Sequence, residues 1–294
     1  MNDLAPRPLD IPLPDGALRA LRWGDGDRVL LTAHGITGTG ASWQAIARFL
    51  PADWTLIAVD LRGRGGSAHL PGPHGLARHA VDLLAAADHL AAQGNARPTL
   101  AGHSLGAYVA LLAADARPEA FERLVLLDGG LPLPLPEGLD PKLAVSAILG
   151  PAFARLQQTY TDAEEYLAFW RAHPALADCW NPDIEAYLRY DLVGEPGALR
   201  SGVGEAAVLA DGTDLIAASP RFGDALRALR LPTLLLTATS GMYGKPPGLL
   251  PDEVVAHWTR EAPLRADRVP DTNHYSILMD HRSAGDVAKR ICVG

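Results

Sequence analysis

The segment Gly102-His103-Ser104-Leu105-Gly106 places a serine between two glycines, where an apolar run gives way to a helical pattern. The run at 98–101 predicts a buried strand, and the run at 107–116 predicts a helix. A serine on such a sharp strand-to-helix turn needs small residues two positions before and after it, because backbone crowds the turn. The turn projects the hydroxyl out of the sheet, and the helix N-terminus favours developing negative charge. We therefore predict that Ser104 is a nucleophile.

A second turn, at 34–38, follows an apolar strand predicted at 29–33 and reads His-Gly-Ile-Thr-Gly. A turn in this place can direct a backbone N–H group towards an oxyanion formed beside the nucleophile. We expect Ile36 to supply that N–H, with Thr37 as the alternative. Leu105, the residue after the nucleophile, is expected to supply the second N–H.

Short apolar runs alternate with helical patterns over the first half of the chain. Continuous apolar strands separated by helices are typical of a mostly parallel sheet that is covered on both faces. We therefore predict an α/β fold. The predicted strands lie at 29–33, 55–59, 98–101, 123–127, 233–237 and, more weakly, 266–269, and the predicted helices of the first half lie at 42–50, 78–93 and 107–116.

About one hundred residues separate the strand predicted at 123–127 from the strand predicted at 233–237. A structureless loop of that length is implausible in a compact domain, and helical patterns recur within it. We therefore predict an inserted helical cap at 131–231. The core domain is then discontinuous and comprises residues 1–130 and 232–294.

Aromatic residues are concentrated in this insert: eight of the chain's 18 lie between Phe153 and Tyr190. Most of them are expected to pack the insert onto the sheet. At least two are expected to line an apolar cavity as well, because ligand cavities favour the space between domains. The candidate substrate-binding residues are Thr37, Phe153, Trp170, Trp180, Tyr187 and Tyr190.

Three motifs resemble, in order and spacing, those of the α/β-hydrolase superfamily. They are His34-Gly35, the segment Asp-Leu-Arg-Gly-Arg-Gly-Gly-Ser at 60–67, and the serine motif at 102–106. The resemblance covers essentially the whole chain and implies an α/β-hydrolase fold. It also implies that the insert is the cap that this family carries between its sixth and seventh strands. Such a fold says little about the substrate.

The resemblance places the catalytic base near the C-terminus. The family's histidine follows a late strand, where this chain reads Pro-Asp-Thr-Asn-His at 270–274. Acyl transfer needs an imidazole that takes the serine proton and returns it to the leaving group. We assign this role to His274, with His281 as the alternative.

The position of the acidic residue that supports the catalytic histidine departs from the commonest family pattern. Most members have an aspartate in the turn after the seventh strand. After the strand predicted at 233–237, the chain has no carboxylate until Asp252. The strand at 123–127 instead ends at Asp128, an arrangement that resembles a minority of the superfamily, including haloalkane dehalogenase branches and zearalenone-type lactonases. We assign Asp128 as the acid, with Asp252 and Glu253 as alternatives.

The composition excludes several classes of function. With 26 basic and 34 acidic residues and a net charge of −8, the 294-residue chain lacks the basic surface expected of a protein that binds nucleic acid or an anionic membrane. His69, His74 and His79 are spaced unlike zinc ligands, so no metal is expected. The glycine-rich segment at 63–66 precedes no Lys-Ser or Lys-Thr pair, so it lacks the pattern of a nucleotide-binding loop, and no other cofactor is expected.

Two further observations concern location. Cys179 and Cys292 cannot form a disulfide framework, which fits a reducing compartment. The sequence also contains no leader-like segment at its start and no apolar stretch of membrane length, so we expect a soluble, cytoplasmic protein. It favours no particular oligomeric state.

These residues predict a serine hydrolase with a Ser-His-Asp triad and an acyl-enzyme. Serine rather than aspartate at the strand-to-helix turn argues against epoxide hydrolases and haloalkane dehalogenases. The aromatic insert favours a hydrophobic carboxylic ester or lactone as substrate. Three alternatives remain: hydrolysis of a carbon–carbon bond beside a ketone, a cofactor-free haloperoxidase-like activity on the same triad, and a non-catalytic ligand-binding member of the fold. Turnover of p-nitrophenyl esters distinguishes an enzyme from a non-catalytic ligand-binding protein.

Overall fold

A computed structural model of the protein describes residues 5–133, 140, 145 and 150–293. The remainder of the predicted cap between 133 and 150 lies outside the described residues. Residues 1–4, which belong to the segment examined for a leader in the sequence analysis, also lie outside the described residues.

Within the described residues, eight strands form one sheet: β1 (Arg7–Leu13), β2 (Gly16–Trp23), β3 (Arg28–Ala33), β4 (Trp54–Val59), β5 (Thr99–His103), β6 (Arg123–Leu127), β9 (Thr233–Ser240) and β10 (Leu264–Asn273). Two short strands, β7 (Leu192–Val193) and β8 (Arg200–Ser201), pair apart from it. The order in the sheet is β1-β2-β4-β3-β5-β6-β9-β10. β1 and β2 form an antiparallel hairpin, β2 pairs antiparallel with β4, and the remaining neighbours are parallel. This mostly parallel sheet confirms the predicted α/β fold.

The central strands are buried on both faces, as their continuous apolar sequences require. All residues of β4, β5 and β6 are buried, and successive residues of β3 enter opposite cores, Leu31 on one face and Leu30 on the other. Helices therefore cover both sides of the sheet. They are α1 (Gln44–Phe49), α2 (Leu76–Ala92), α3 (Leu105–Ala116), α4 (Pro151–Ala154), α5 (Ala163–Arg171), α6 (Pro182–Asp191), α7 (Glu205–Ala217), α8 (Ser219–Arg227), α9 (Asp252–Glu261), α10 (Ser276–Met279) and α11 (His281–Cys292).

The chain between β6 and β9 contains α4 to α8 and the β7–β8 hairpin. Local sequence explains how α6 begins: the side chain of Asn181 accepts hydrogen bonds from the N–H groups of Asp183 and Ile184, which have no partner inside the helix. No helix among the residues that the structure describes combines the length and apolar character needed to cross a membrane.

Asp183 in the first turn of α6 fastens that helix to α1 and α11. Its carboxylate accepts a 2.8 Å hydrogen bond from Gln44 Nε2 and a 2.7 Å bond from Arg48 Nε, and it lies 2.7 Å from His281 Nε2. Burial alone would raise the pKa of Asp183, but the hydrogen bonds from Arg48, Gln44 and His281 outweigh it and lower the pKa to about 2. The carboxylate is therefore ionised and joins three helices that lie far apart in the sequence.

Candidate active site

Ser104 lies between β5 and α3, with a backbone φ of 55°. The flanking glycines are required by close backbone approach. A Cβ at Gly102 would lie 2.1 Å from the carbonyl oxygen of Gly106, and a Cβ at Gly106 would lie 2.3 Å from that of Ala33. The predicted strand-to-helix turn is thus present, and it places the serine hydroxyl on the wall of a cavity.

The structure brings Ser104, His274 and Asp128 into one hydrogen-bonded chain. His274 Nε2 lies 3.0 Å from Ser104 Oγ, and His274 Nδ1 lies 2.7 Å from Asp128 Oδ2. The other carboxylate oxygen of Asp128 accepts a 3.1 Å hydrogen bond from the N–H of Ala238. Both His274 and Asp128 are buried. With a proton on Nδ1 facing the carboxylate, Nε2 is free to accept the serine proton.

The alternatives considered for the base and the acid lie elsewhere. His281 contacts Asp183 and not the serine. Asp252 begins α9 and pairs with Arg268, and the neighbouring Glu253 is exposed. Among the residues that the structure describes, Asp128 is therefore the carboxylate in contact with His274.

His274 is held by the turn that follows β10. The pairing of β10 with β9 shifts register between Val269 and Asn273, and the side chain of Asn273 then accepts 2.9 Å hydrogen bonds from the N–H groups of Tyr275 and Ser276. This arrangement closes a tight turn around His274.

His103, which sequence reasoning passed over, supports the same turn. Its Nε2 lies 2.8 Å from the backbone oxygen of His274. Burial lowers the pKa of His103 to about 3, so the ring is neutral and donates this hydrogen bond. No local pattern distinguishes such a histidine, because its partner lies 171 residues away.

Residues 35–38, which we call the oxyanion turn, lie directly against the serine. A Cβ at Gly35 would be 3.3 Å from Ser104 Cβ, so the turn passes close to the hydroxyl. Ile36, Thr37 and Leu105 all line the cavity beside Ser104. The N–H groups of Ile36 and Thr37 have no acceptor among the described residues, and that of Leu105 lies in the first turn of α3, where helices leave N–H groups free.

His34 precedes this turn and has a structural role. Its Nε2 accepts a 2.9 Å hydrogen bond from the N–H of Leu61, and its Nδ1 lies 2.7 Å from the oxygen of Gly35. Burial lowers the pKa of His34 to about 3, and the neutral ring can therefore accept at one nitrogen and donate at the other.

The cavity above Ser104 has a mostly apolar wall. Thr37 and Tyr187 lie on this wall, as the sequence predicted. Among the described residues, the wall contains no Asp, Glu, Lys or Arg. The wall also contains aliphatic side chains that the sequence analysis did not single out: Leu133, Val145, Leu215, Ile216, Met242 and Leu249.

Four predicted substrate-binding residues are not on this wall, and we correct that expectation. Trp170 is buried beneath Arg155, whose guanidinium lies 5.1 Å from the ring centre. Trp180 lies under Arg171, the hydroxyl of Tyr190 donates a 2.6 Å hydrogen bond to Asp60, and Phe153 packs against the hydrophobic core. These rings anchor the segment between β6 and β9 to its surroundings. The concentration of aromatic residues in this segment therefore reflects packing. On α7, the aliphatic residues Leu215 and Ile216 line the cavity instead.

A model of the alpha/beta hydrolase family matches residues 29–289. The chain belongs to this family. Lipase LipV of Mycobacterium tuberculosis (strain ATCC 25618 / H37Rv) is 34% identical over 183 residues, which are 61% of this chain and 63% of LipV. The protein named "Putative carbamate hydrolase RutD" of Klebsiella pneumoniae (strain 342) is 40% identical over 109 residues, 37% of this chain and 40% of that protein. The match thus spans less than two thirds of either relative.

Solved structures of alpha/beta hydrolases share the fold over the full chain. E-2-(acetamidomethylene)succinate hydrolase superposes with a TM-score of 0.78, covering 99% of this chain and 100% of the other at 22% identity. Family membership confirms the resemblance seen in the sequence motifs and supports a hydrolase. The bond and the substrate have to be argued from the site.

Proposed function

We propose that this alpha/beta hydrolase cleaves a carboxylic ester or lactone of a hydrophobic, neutral substrate through an acyl-enzyme on Ser104. The observation that carries the proposal is the hydrogen-bonded chain from Ser104 through His274 to Asp128, with the serine hydroxyl facing an apolar cavity. LipV, which is 34% identical over 183 residues, is named a lipase, in line with an ester substrate.

In the proposed mechanism, Ser104 Oγ attacks the carbonyl carbon while His274 Nε2 takes the hydroxyl proton. Asp128 holds the imidazole in the reactive tautomer and stabilises the imidazolium. The carbonyl π electrons move onto oxygen, and this oxyanion accepts hydrogen bonds from the N–H of Leu105 and from that of Ile36 or Thr37. When the intermediate collapses, the bond to the leaving oxygen breaks and His274 returns the proton to it. Water then attacks the acyl-enzyme by the same steps, which releases the acid and restores the serine.

The charge of the cavity wall supports a neutral substrate. An ionised group that enters an apolar site loses its hydration, and without a charged or strongly polar partner this costs several kcal/mol. The described wall offers no cation to a substrate carboxylate and no anion to a substrate ammonium group. Its aliphatic side chains would instead gain free energy from contact with a hydrocarbon acyl or alkyl chain.

We further propose that the segment at 131–231 acts as a cap that selects the substrate. Its described residues on the cavity wall include Tyr187 on α6 and Leu215 and Ile216 on α7, together with Leu133, Val145 and Gly212. The residues proposed as the triad, in contrast, lie at the ends of β5, β6 and β10. Substitutions in the cap are therefore expected to change which esters are cleaved rather than how they are cleaved.

The proposal is tested with p-nitrophenyl esters of increasing acyl length and with a fluorophosphonate probe that labels activated serines. The wild-type protein is expected to hydrolyse the esters and to be labelled once per chain. Ser104→Ala is expected to lose both, whereas Ser219→Ala, which changes a serine at the start of α8, keeps both. A wild-type protein that neither reacts with the probe nor turns over an ester contradicts the proposal.

A further inference from the structure

The first three carbonyl groups of the oxyanion turn each accept hydrogen bonds from a different donor. The oxygen of Gly35 accepts the N–H of Gly38 at 3.0 Å and also contacts the ring of His34. The oxygen of Ile36 accepts from Arg64, at 3.0 Å from Nη2 and 3.2 Å from Nε. The oxygen of Thr37 accepts from Arg155 Nη2 at 2.6 Å. Three successive peptide groups thus each have their own donor, and two of those donors are buried arginines.

Arg155 reaches the turn from the segment between β6 and β9. Its side chain is fully buried, and its Nη1 contacts Asp191 at 3.1 Å, the hydroxyl of Tyr166 at 3.1 Å and Ser201 Oγ at 2.7 Å. Among the described residues, Asp191 is the carboxylate bonded to this guanidinium, and the hydroxyls of Tyr166 and Ser201 complete the network. The nitrogen bonded to Thr37 is a different one, so the guanidinium joins that network to the turn.

Arg64 is connected to the same segment through Asp211 on α7. Arg64 Nη1 lies 2.5 Å from Asp211 Oδ2, and both side chains are fully buried. Asp211 also contacts His79 Nε2 at 2.9 Å and accepts the N–H of Gly75 at 2.6 Å. Burial alone would raise the pKa of Asp211, but the charge of Arg64 and the hydrogen bond with His79 lower it to about 2. The carboxylate is therefore ionised and fixes the guanidinium.

We propose that Arg155 and Arg64 are positioning residues that orient the oxyanion turn, and that the segment at 131–231 sets the geometry of the oxyanion donors through Arg155 and Asp211. This inference rests on the proposed function, since an oxyanion forms only if Ser104 attacks a carbonyl. It adds a second task for the segment proposed as a cap: that segment completes the catalytic apparatus of the sheet domain as well as shaping the cavity.

The reason is peptide geometry. The N–H and C=O groups of a trans peptide point in opposite directions in one plane, so Arg64, which fixes the carbonyl of Ile36, also fixes the N–H of Thr37. Arg155 acts one step further away: it fixes the carbonyl of Thr37 and with it the N–H of Gly38, which holds the carbonyl of Gly35 and hence the N–H of Ile36. Hydrogen bonds from a guanidinium are stronger than neutral ones and polarise the amide, which improves its N–H as a donor. Loss of one oxyanion donor typically lowers kcat by about 10² to 10³. Partial misalignment of the turn should therefore lower kcat by about 10-fold to 100-fold.

A buried ion pair could instead serve stability alone, and the test has to separate the two roles. Arg155→Lys keeps the positive charge beside Asp191, but one ammonium cannot reproduce the two separate nitrogens that contact Asp191 and Thr37. Tyr166→Phe is the matched control, because it removes a hydroxyl from the same buried network and leaves the contact between Arg155 and Thr37 in place. A purely structural role predicts that both variants behave alike.

Arg64→Lys provides a second variant in case Arg155→Lys does not fold. Its matched control is His79→Gln, since His79 contacts Asp211 but does not touch the turn. Thermal unfolding is recorded for all four variants. Their kcat and KM are measured with a p-nitrophenyl ester, and the inhibition constant is measured for a trifluoromethyl ketone, which forms an oxyanion on the serine. Hydrogen exchange of residues 34–39, followed by mass spectrometry, reports on the turn without any substrate.

In the two lysine variants, we expect kcat to fall 10-fold to 100-fold with KM within threefold of wild type. The trifluoromethyl ketone should bind more weakly by a similar factor, and exchange in residues 34–39 should accelerate. The two controls should lose thermal stability but keep kcat within threefold and exchange unchanged.

The inference is overturned if exchange in residues 34–39 is the same in the lysine variants as in their controls. It is also overturned if kcat falls equally in each variant and its control. A wild-type protein that cleaves no ester contradicts the proposed function instead; faster exchange confined to the lysine variants would then still support the positioning of the turn.

Discussion

Ser104 and Asp128 occupy equivalent positions directly after two neighbouring parallel strands. His103 pairs with Leu127 in the register of β5 and β6, and the residue that follows each strand has a positive φ, 55° at Ser104 and 45° at Asp128. Such backbone conformations cost non-glycine residues on the order of 1–3 kcal/mol, and they persist where the surrounding structure enforces them. The chain therefore leaves the two neighbouring strands at the same level. This places Ser104 and Asp128, the two outer members of the proposed triad, beside each other.

The first prediction concerns Asp128→Asn. The amide cannot stabilise the imidazolium and favours the wrong tautomer of His274, so we expect kcat for ester hydrolysis to fall about 10⁴-fold with the protein still folded. The matched control is Asp252→Asn, which changes an exposed carboxylate outside the site and should leave kcat within twofold. If Asp128→Asn kept near-wild-type hydrolysis, another group would have to act as the acid.

The second prediction concerns substrate charge. p-Nitrophenyl hemisuccinate should be hydrolysed with a kcat/KM at least about 100-fold below that of p-nitrophenyl butyrate, because its carboxylate would be buried without a cationic partner. The methyl ester of the same hemisuccinate is neutral and should regain most of the loss. Equal rates for the charged and the methylated compound would show that a cation reaches the bound acyl group.

The third prediction concerns stability at acid pH. Burial lowers the pKa of His34 and of His103 from an ordinary value of 6.5 to about 3. Between these values the unfolded chain binds protons that the folded chain does not, so the free energy of unfolding falls as pH falls from about 6.5 towards 3. Each histidine contributes up to about 1.4 kcal/mol per pH unit in this window. The pKa values of the Asp183 and Asp211 carboxylates are lowered to about 2. These groups also lower the free energy of unfolding as pH falls, but only below about pH 4.

Urea unfolding at pH 7, 6, 5 and 4 measures this slope. At pH 7, His34→Asn should unfold at a lower urea concentration than the wild-type protein. Between pH 6 and pH 4, its free energy of unfolding should fall by less than that of the wild-type protein. His257→Gln, a change at an exposed position, should leave the slope unchanged. Parallel curves for His34→Asn and the wild-type protein would mean that His34 is not buried as a neutral ring.

The fourth prediction concerns the size of the cavity. Ile216→Ala and Leu215→Ala shorten side chains on the wall above Ser104, so the acyl length with the highest kcat/KM should increase by two or more carbons. Val254→Ala truncates a similar side chain that packs against the core away from the cavity. It should cost stability and leave the length profile unchanged. A length profile that stays the same in the cavity variants would place the acyl chain elsewhere.

The positions of the parallel strands and of Ser104 could be predicted from sequence for physical reasons, whereas His274 and Asp128 were assigned with the help of the family resemblance. Buried parallel strands are continuous apolar runs, and the side chains that follow their carboxyl ends gather at one edge of the sheet. Ser104 and Asp128 both follow such runs, and the absence of a carboxylate between β9 and Asp252 directed attention to Asp128.

The remaining features depend on contacts between distant residues. Trp170 and Tyr190 could not be told from cavity residues, because which side of a helix faces a cavity is decided by packing. Arg155 and Arg64 gave no signal either, since an arginine is ordinarily exposed and becomes buried only where a carboxylate meets it. The β1–β2 hairpin was missed because its strands are not the continuous apolar runs by which the buried parallel strands were recognised.

The helix α7 carries residues with two different tasks. Asp211 and Asp214 accept hydrogen bonds from the N–H groups of Gly75 and Leu76. Gly212, Leu215 and Ile216, which follow these aspartates along the helix, lie on the cavity wall. Directed evolution of the proposed acyl preference can therefore draw its library from the cavity residues of one helix while both aspartates stay constant. Such mutations leave the hydrogen bonds to Gly75 and Leu76 in place and need no compensating mutations around them.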